Sequence, residues 1–260
     1  MATFETQNSD FVTISREGIN RRLIKKEKFD SFNEEILGLG NIKLKSAQVS
    51  ALSVIFDLEG FTNFCKQIDP QLAVPEYLSE FLSWIFTQVR KEIIDKEHSE
   101  GYQVFCPLPF LSKYLGDGIL FLWDTQGMSI TAILNVVISM NEICRNYKKE
   151  FLPMIAKKII SPPTKLRCGI ARGSIYSVGN GNDFVGPCIN MSARLQKLNS
   201  LTFSFSRRGL DPGEMHPNRA KQFITKKIAI RGIGEDELVC FLKSEFEELE
   251  MKEQKKFIEP

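Results

Sequence analysis

No stretch of this sequence approaches the roughly 18–20 consecutive apolar residues that a membrane helix needs. The longest candidate, Ile130 to Met140, is interrupted by Asn135 and Ser139. The opening MATFETQNSD has neither a basic nor an apolar segment, so no export signal is visible. Histidine is scarce, and the two present, His98 and His216, stand far apart. The six cysteines never form a C-x-x-C pair, which argues against structural zinc and against a disulfide framework. Scattered through apolar stretches, they read as buried thiols. An excess of charge of one sign is also missing. Against 34 Lys+Arg stand 32 Asp+Glu, and a net charge of +2 excludes a nucleic-acid binder that relies on a dense basic face. The expectation is a soluble cytoplasmic protein whose 43% hydrophobic content can fill a core.

Three regions differ in texture. Residues 1–46 are a polar extension whose cluster Arg21-Arg22-Leu23-Ile24-Lys25-Lys26 reads as a solvated arm. Residues 47–243 alternate short apolar runs with helical spacings. Ala51 to Phe56 reads as a buried strand ended by Asp57, and Thr62 is placed to open a helix after Gly60. Apolar residues at 78, 81, 82, 85, 86, 89 and 93 mark one face of a helix over 76–94, and a second helix is expected over 129–151. Strands are expected at 102–105, 119–123, 165–170, 174–178, 201–206, 223–230 and 238–242, with a helix at 190–198. Residues 244–260 form a charged tail that reads as a surface helix. The fold class is α+β in one domain with terminal extensions.

The chemistry concentrates in three segments. Asp57 closes a buried strand, and Asp117 occupies the sharp turn Gly116-Asp117-Gly118. A lone Gly-Asp-Gly reads as turn chemistry. Two such carboxylates on neighbouring strands make magnesium binding a competing reading, because Mg²⁺ is held by one or two carboxylates plus substrate phosphates. In the third segment, Asp183 to Arg194, a helix puts Asn190 and Arg194 four apart on one face. They read either as a solvated face or as an amide that orients a hydroxyl beside a cation that meets a phosphate.

Together these segments resemble the class III nucleotidyl cyclase catalytic domain over roughly residues 50–243. Val54-Ile55-Phe56-Asp57-Leu58-Glu59-Gly60-Phe61-Thr62 is similar to the family's first metal motif, and Lys113-Tyr114-Leu115-Gly116-Asp117-Gly118 to its second. Asp183 to Arg194, preceded by Leu166-Arg167-Cys168-Gly169-Ile170-Ala171-Arg172-Gly173, is similar to the base and transition-state motif. The resemblance implies a ferredoxin-like βαββαβ core with a central antiparallel sheet, in a head-to-tail homodimer. It implies a phosphorus–oxygen lyase that cyclises a nucleoside triphosphate. Asp57, Asp117 and the Leu58 carbonyl would hold two Mg²⁺ or Mn²⁺ ions, and the amides of Gly60, Phe61 and Thr62 would meet phosphates. Lys113 and Asp183 would read the base, Asn190 would orient the ribose and Arg194 would stabilise the transition state. The metals would come from one chain and the other four side chains from its twin, in two composite interface sites. One departure stands out: where the family often has a phosphate-contacting lysine near the last hairpin, this chain has Arg231-Gly232-Ile233-Gly234, so that Arg231 is the nearest cation.

Lys113 with Asp183 resembles the adenylate-type pair rather than the guanylate type, yet donor and acceptor inventory alone leaves adenine, cytosine and uracil open. The stretches Gly116 to Asp124, Ala193 to Leu198 and Phe203 to Gly209 resemble the Pycsar pyrimidine cyclases of bacterial antiphage defence. Those make cyclic UMP or cyclic CMP, which a separate effector protein senses. UTP is favoured over CTP; an adenylate cyclase and a catalytically silent nucleotide-binding dimer are the alternatives.

Overall fold

A single twelve-residue strand organises the molecule. In the computed structural model, which describes residues 11–16, 18–30, 41, 43–92, 94–99, 102–105, 108–198 and 200–260, the chain begins with the hairpin β1 (Phe11–Arg16) and β2 (Ile19–Ile24) and the short α1 (Lys26–Asp30). The organising strand, β3 (Gln48–Glu59), follows. It leads through α2 (Phe61–Phe64) into α3 (Pro70–Glu92), then β4 (Ile94–Ser99), β5 (Tyr102–Phe105), β6 (Leu111–Tyr114) and β7 (Gly118–Asp124). Next come α4 (Ile130–Asn146), a π-helical turn over Tyr147–Phe151, α5 (Leu152–Ile155), β8 (Lys165–Val178), β9 (Asp183–Val185) and α6 (Pro187–Leu195). The chain ends with β10 (Phe203–Ser206), α7 (Pro217–Ala220), β11 (Phe223–Ile230), β12 (Gly234–Leu242), α8 (Lys243–Glu247) and α9 (Met251–Gln254).

The main sheet has the order β11-β12-β10-β8-β3-β7-β6. Its β8-β3-β7-β6 half, with α3 and α4 as the crossovers, is the expected βαββαβ arrangement. β10 adds to β8 in parallel and is followed by the antiparallel pair β11–β12.

Strand parity divides the sheet into two chemically different faces, because successive side chains point to opposite sides. Leu52, Val54, Phe56 and Leu58 of β3 join Ile119, Phe121 and Trp123 of β7, Leu166, Cys168 and Ile170 of β8, and Phe203 and Phe205 of β10 in the main core. α3 and α4 cover this face with an aromatic cluster of Tyr77, Phe81, Trp84, Tyr147 and Phe151. The Tyr77 and Tyr147 hydroxyls meet at 2.7 Å, and Tyr147 also donates to the Pro163 carbonyl. On the opposite face stand Ser53 and Asp57, Arg167 and Gly169, and Ser204, and α6 lies across it. Ser53 Oγ is 2.7 Å from Ser192 Oγ of α6, and Ser204 Oγ donates to the Leu195 carbonyl at 3.0 Å. Gly169 permits this contact, since a Cβ there would stand 2.2 Å from the Ser192 carbonyl oxygen and 2.3 Å from the Gln196 nitrogen.

The described residues fall into two compact units. The larger holds Ser50–Ser174 and Gly186–Pro260; the smaller holds Ile175–Val185 and the described part of Met1–Val49. Within the smaller, the Ser177 amide donates to the Ala47 carbonyl, and Asp183 pairs with Val178. Arg21 and Arg22 of the basic cluster are paired strand residues of β2, opposite Ile14 and Thr13.

Several boundaries differ from expectation. The strands expected at 165–170 and 174–178 are one continuous β8. The tail is not one surface helix: α8 and α9 are short, and Leu249 and Phe257 between and after them are buried, with Phe257 packed 5.0 Å from Phe241. Cys144, Cys168, Cys188 and Cys240 are buried thiols and Cys65 is half-buried, whereas Cys106 and the His98 side chain lie outside the described residues. Among the described residues no helix is long and apolar enough to cross a membrane.

Candidate active site

Asp57 and Asp117 come together at one end of the β3–β7 pair. Asp57 is in register with Gly118, and the Leu58 amide donates to the Asp117 carbonyl at 2.9 Å. The approach is close because residue 118 is glycine: a Cβ there would sit 2.1 Å from the Phe56 carbonyl oxygen. The turn before it closes through the Leu115 amide on the Gly118 carbonyl, with Gly116 at φ 92°. After β3, Gly60 takes φ 85° and caps α2. Its carbonyl accepts from the amides of Asn63 and Phe64. Thr62, which the sequence places to open a helix, therefore lies inside the short one instead; the left-handed Gly60 caps it.

Asp57, Leu58, Gly60, Phe61, Thr62 and Asp117 line one cavity of about 180 Å³, together with Asn63, Arg167 and Lys197. A contiguous set, Asp57, Asp117, Asn190, Arg194, Lys197, Gly232 and Ile233 among them, lines a second cavity of about 500 Å³, within the size range of small-molecule sites. Asn190 and Arg194 stand exposed on α6 with their backbone held to the sheet by Ser192. One chain thus brings both acids and the Asn190–Arg194 pair to the same cavity, whereas the resemblance divides them between two chains. Lys113 sits on edge strand β6 opposite Leu120, which itself faces Ile55, so it shares the sheet face of Asp57 but lines neither cavity. Asp183 belongs to the smaller unit, where its Oδ1 accepts from the Phe184 amide at 2.9 Å, and it lines neither cavity either. Arg231 is exposed and absent from both linings.

Asp57 is only 3% exposed and does not stand at an open strand mouth. Its Oδ2 accepts from Arg167 Nη2 at 2.6 Å, and its Oδ1 faces Lys197 Nζ at 3.7 Å. Arg167 Nε is buried without a hydrogen-bond partner among the described residues and lies 4.0 Å from Glu59 Oε2. Neither Arg167 nor Lys197 belongs to the site expected from the sequence. Strand parity contained the first, since Leu166 and Cys168 face the core and Arg167 must face Asp57. Helical spacing contained the second, three residues beyond Arg194. Beside the acids, burial raises the Tyr114 hydroxyl pKa, and the Asp117 charge adds to the shift.

Among the described residues no three His, Cys, Asp or Glu side chains converge on one point. Two carboxylates next to a polar cavity suit Mg²⁺ or Mn²⁺ that takes its remaining oxygens from substrate phosphates, and the donor set is all oxygen, as those hard cations require.

No family sequence profile matches this chain, and no curated protein does. Solved structures do match. The adenylyl cyclase CyaB from P. aeruginosa superposes with a TM-score of 0.55 at 14% identity, over 76% of this chain and 96% of that one. The guanylyl cyclase Cya2 gives 0.55 at 14%, over 76% and 94%. The catalytic core of a rhodopsin-guanylyl cyclase with converted specificity, in complex with ATPαS, gives 0.50 at 14%, over 76% and 98%. The chain has the fold of adenylyl and guanylyl cyclase catalytic domains.

Proposed function

We propose that this chain is a nucleotidyl cyclase that converts a pyrimidine nucleoside triphosphate, UTP in preference to CTP, into its 3′,5′-cyclic monophosphate and pyrophosphate. The observation that carries the reading is the 500 Å³ cavity on which Asp57, Asp117, Asn190 and Arg194 meet in a cyclase fold. Asp57, Asp117 and the Leu58 carbonyl would hold the Mg²⁺ or Mn²⁺ ions, two per site. When bound, such ions acidify the ribose 3′-hydroxyl and neutralise the triphosphate.

Asn190 orients the ribose through its carboxamide. The 3′-oxygen then bonds to the α-phosphorus as the bond to the β-phosphate oxygen breaks, releasing pyrophosphate and the hydroxyl proton. Arg194 stabilises the charge on the α-phosphoryl oxygens, which is largest in the transition state. Backbone amides of Gly60, Phe61 and Thr62 receive the outer phosphates. Lys113 and Asp183 read the base edge, from positions completed in a head-to-tail homodimer. The pyrimidine assignment is supported by the likeness of residues 116–124, 193–198 and 203–209 to the Pycsar cyclases. In that setting the product is a second messenger of antiphage defence, sensed by a separate effector.

Purified protein incubated with Mn²⁺ and each of the four nucleoside triphosphates, with products resolved by chromatography, tests this. Cyclic UMP as the main product supports the reading. Turnover of ATP alone replaces it with an adenylate cyclase, and no turnover of any nucleotide leaves a binding dimer.

A further inference from the structure

A third cavity, about 700 Å³, opens at the far end of α4 and shares no lining residue with the two described above. It lies between the end of α4, the π-helical turn, the start of β8 and α8. At its base is Asn141, on the buried stripe of α4 and 3% exposed. Its carboxamide is not enclosed without a partner but lines the cavity. The lining includes the apolar Leu166 and Leu249, the cations Arg145, Lys148, Lys149 and Lys165, and the carboxylates Glu245 and Glu248, so that cations outnumber acids. Lys148 and Lys149 are placed there by the π-helical turn, an irregularity that frequently marks functional sites.

Lys165 also begins a chain of charges. Its Nζ is 3.5 Å from Glu59 Oε2, Glu59 Oε2 is 4.0 Å from Arg167 Nε, and Arg167 Nη2 is 2.6 Å from Asp57. Among the described residues Glu59 Oε2 accepts no hydrogen bond, and Lys165 and Arg167 are the cations paired with it.

We infer that this cavity is a second ligand site, for a small organic anion with a planar or apolar body, and that its occupancy is coupled through Lys165, Glu59 and Arg167 to Asp57. The anionic group meets the lysine rim, and the body reaches the Asn141 carboxamide. An anion at the rim draws Lys165 off Glu59. Glu59 then takes Arg167 more fully, and Asp57 is released to a divalent cation. The coupling rests on the cation-binding role proposed for Asp57; the site itself does not.

The probe is 8-anilinonaphthalene-1-sulfonate, an anion on a planar apolar body whose fluorescence rises on leaving water. With the metal-free full-length protein, saturable binding at one dye per chain is expected. It should weaken about tenfold in Asn141→Leu and in the exposed double variant Lys148→Glu/Lys149→Glu, as expected for losing a hydrogen bond or a charge contact. Unsaturable binding, or binding indifferent to both variants, overturns the site. Binding of Mn²⁺ alone, read by electron paramagnetic resonance, should tighten about fivefold with saturating dye, and Mn²⁺ should tighten the dye by the same factor. Both effects should vanish in Lys165→Met. Mn²⁺ affinity unmoved by the dye in the wild type overturns the coupling. Failure of Mn²⁺ to bind at all overturns the functional reading and the coupling with it, while the dye titrations still decide the site.

Discussion

Asp57 and Asp117 are chemically identical, but their surroundings are not. Asp57 is buried beside Arg167, and Asp117 is half-exposed at a turn. Removing one partner of a buried ion pair strands the other, and partial exposure of Arg167 moderates the loss. Asp57→Asn is therefore expected to abolish cyclisation and also to lower stability by about 1–3 kcal/mol. Asp117→Asn should abolish cyclisation with stability changed by about 0.5 kcal/mol or less, as for surface substitutions. Urea denaturation of both variants, read beside product formation, checks this. Equal stability losses would mean that the Arg167 contact contributes nothing to folding. From the sequence both acids read as ligands and neither as a core residue. The difference arises because β3 continues two residues past Asp57, to Glu59, and β8 brings Arg167 alongside.

Among the elements, the β3–β7 pair decides whether the two acids meet. Gly118→Ala forces a Cβ to 2.1 Å from the Phe56 carbonyl oxygen, and backbone cannot give way as a flexible side chain can. The strands must part at the point where both carboxylates are held. A loss of about 1–3 kcal/mol, the usual cost of overpacking, is expected together with loss of activity. Asp117→Asn, by contrast, loses activity alone, so comparing their melting curves separates geometry from ligand chemistry. The helix carrying Asn190 and Arg194 was legible in the sequence by its spacing but was placed three residues late. Pro187 opens α6, since its missing N–H is harmless in a first helical turn. α3 likewise starts at Pro70 and takes Pro75 into its interior, where the sequence reading began the helix at residue 76.

At the C-terminal end, the Glu245 carboxylate accepts from the Thr202 amide at 2.9 Å and the Phe203 amide at 3.4 Å, tying α8 to β10. Burial is the largest influence on it and raises its pKa above the ordinary 4.5, although both amides pull the other way. A raised folded-state value means that this group favours folding below 4.5 and that the benefit is lost as pH rises through the folded value. Relative to Glu245→Gln, wild-type stability should fall with rising pH across that window. Denaturant midpoints of the two proteins over a pH series test it, and a difference that grows with pH would show that the amide bonds outweigh burial.

For the whole molecule, the proposed homodimer makes a testable statement about how the site is divided between copies. One chain places Asp57, Asp117, Asn190 and Arg194 on a single cavity, and the cyclase resemblance assigns them to opposite subunits. Mixing Asp57→Asn with Arg194→Ala distinguishes these. A composite interface site leaves one intact site per heterodimer, so activity should return to about a quarter of wild type for random exchange with one of two sites working in half of the dimers. No recovery, with subunit exchange verified by differently tagged copies, means that each chain uses its own set.

The sequence by itself determined the local order: a buried strand ending in an acid, a glycine-flanked acid in a turn, and an amide one helical turn from a guanidinium. These are readable because strand parity, helical spacing and glycine's backbone freedom act over a few residues. Only the tertiary structure decided that β8 is one long strand that sets Arg167 against Asp57, that Lys197 faces the same carboxylate, and that Leu249 and Phe257 bury the tail. Those outcomes depend on which elements become neighbours, and contacts between residues distant in sequence, such as Arg167 with Asp57, leave no periodic trace along the chain.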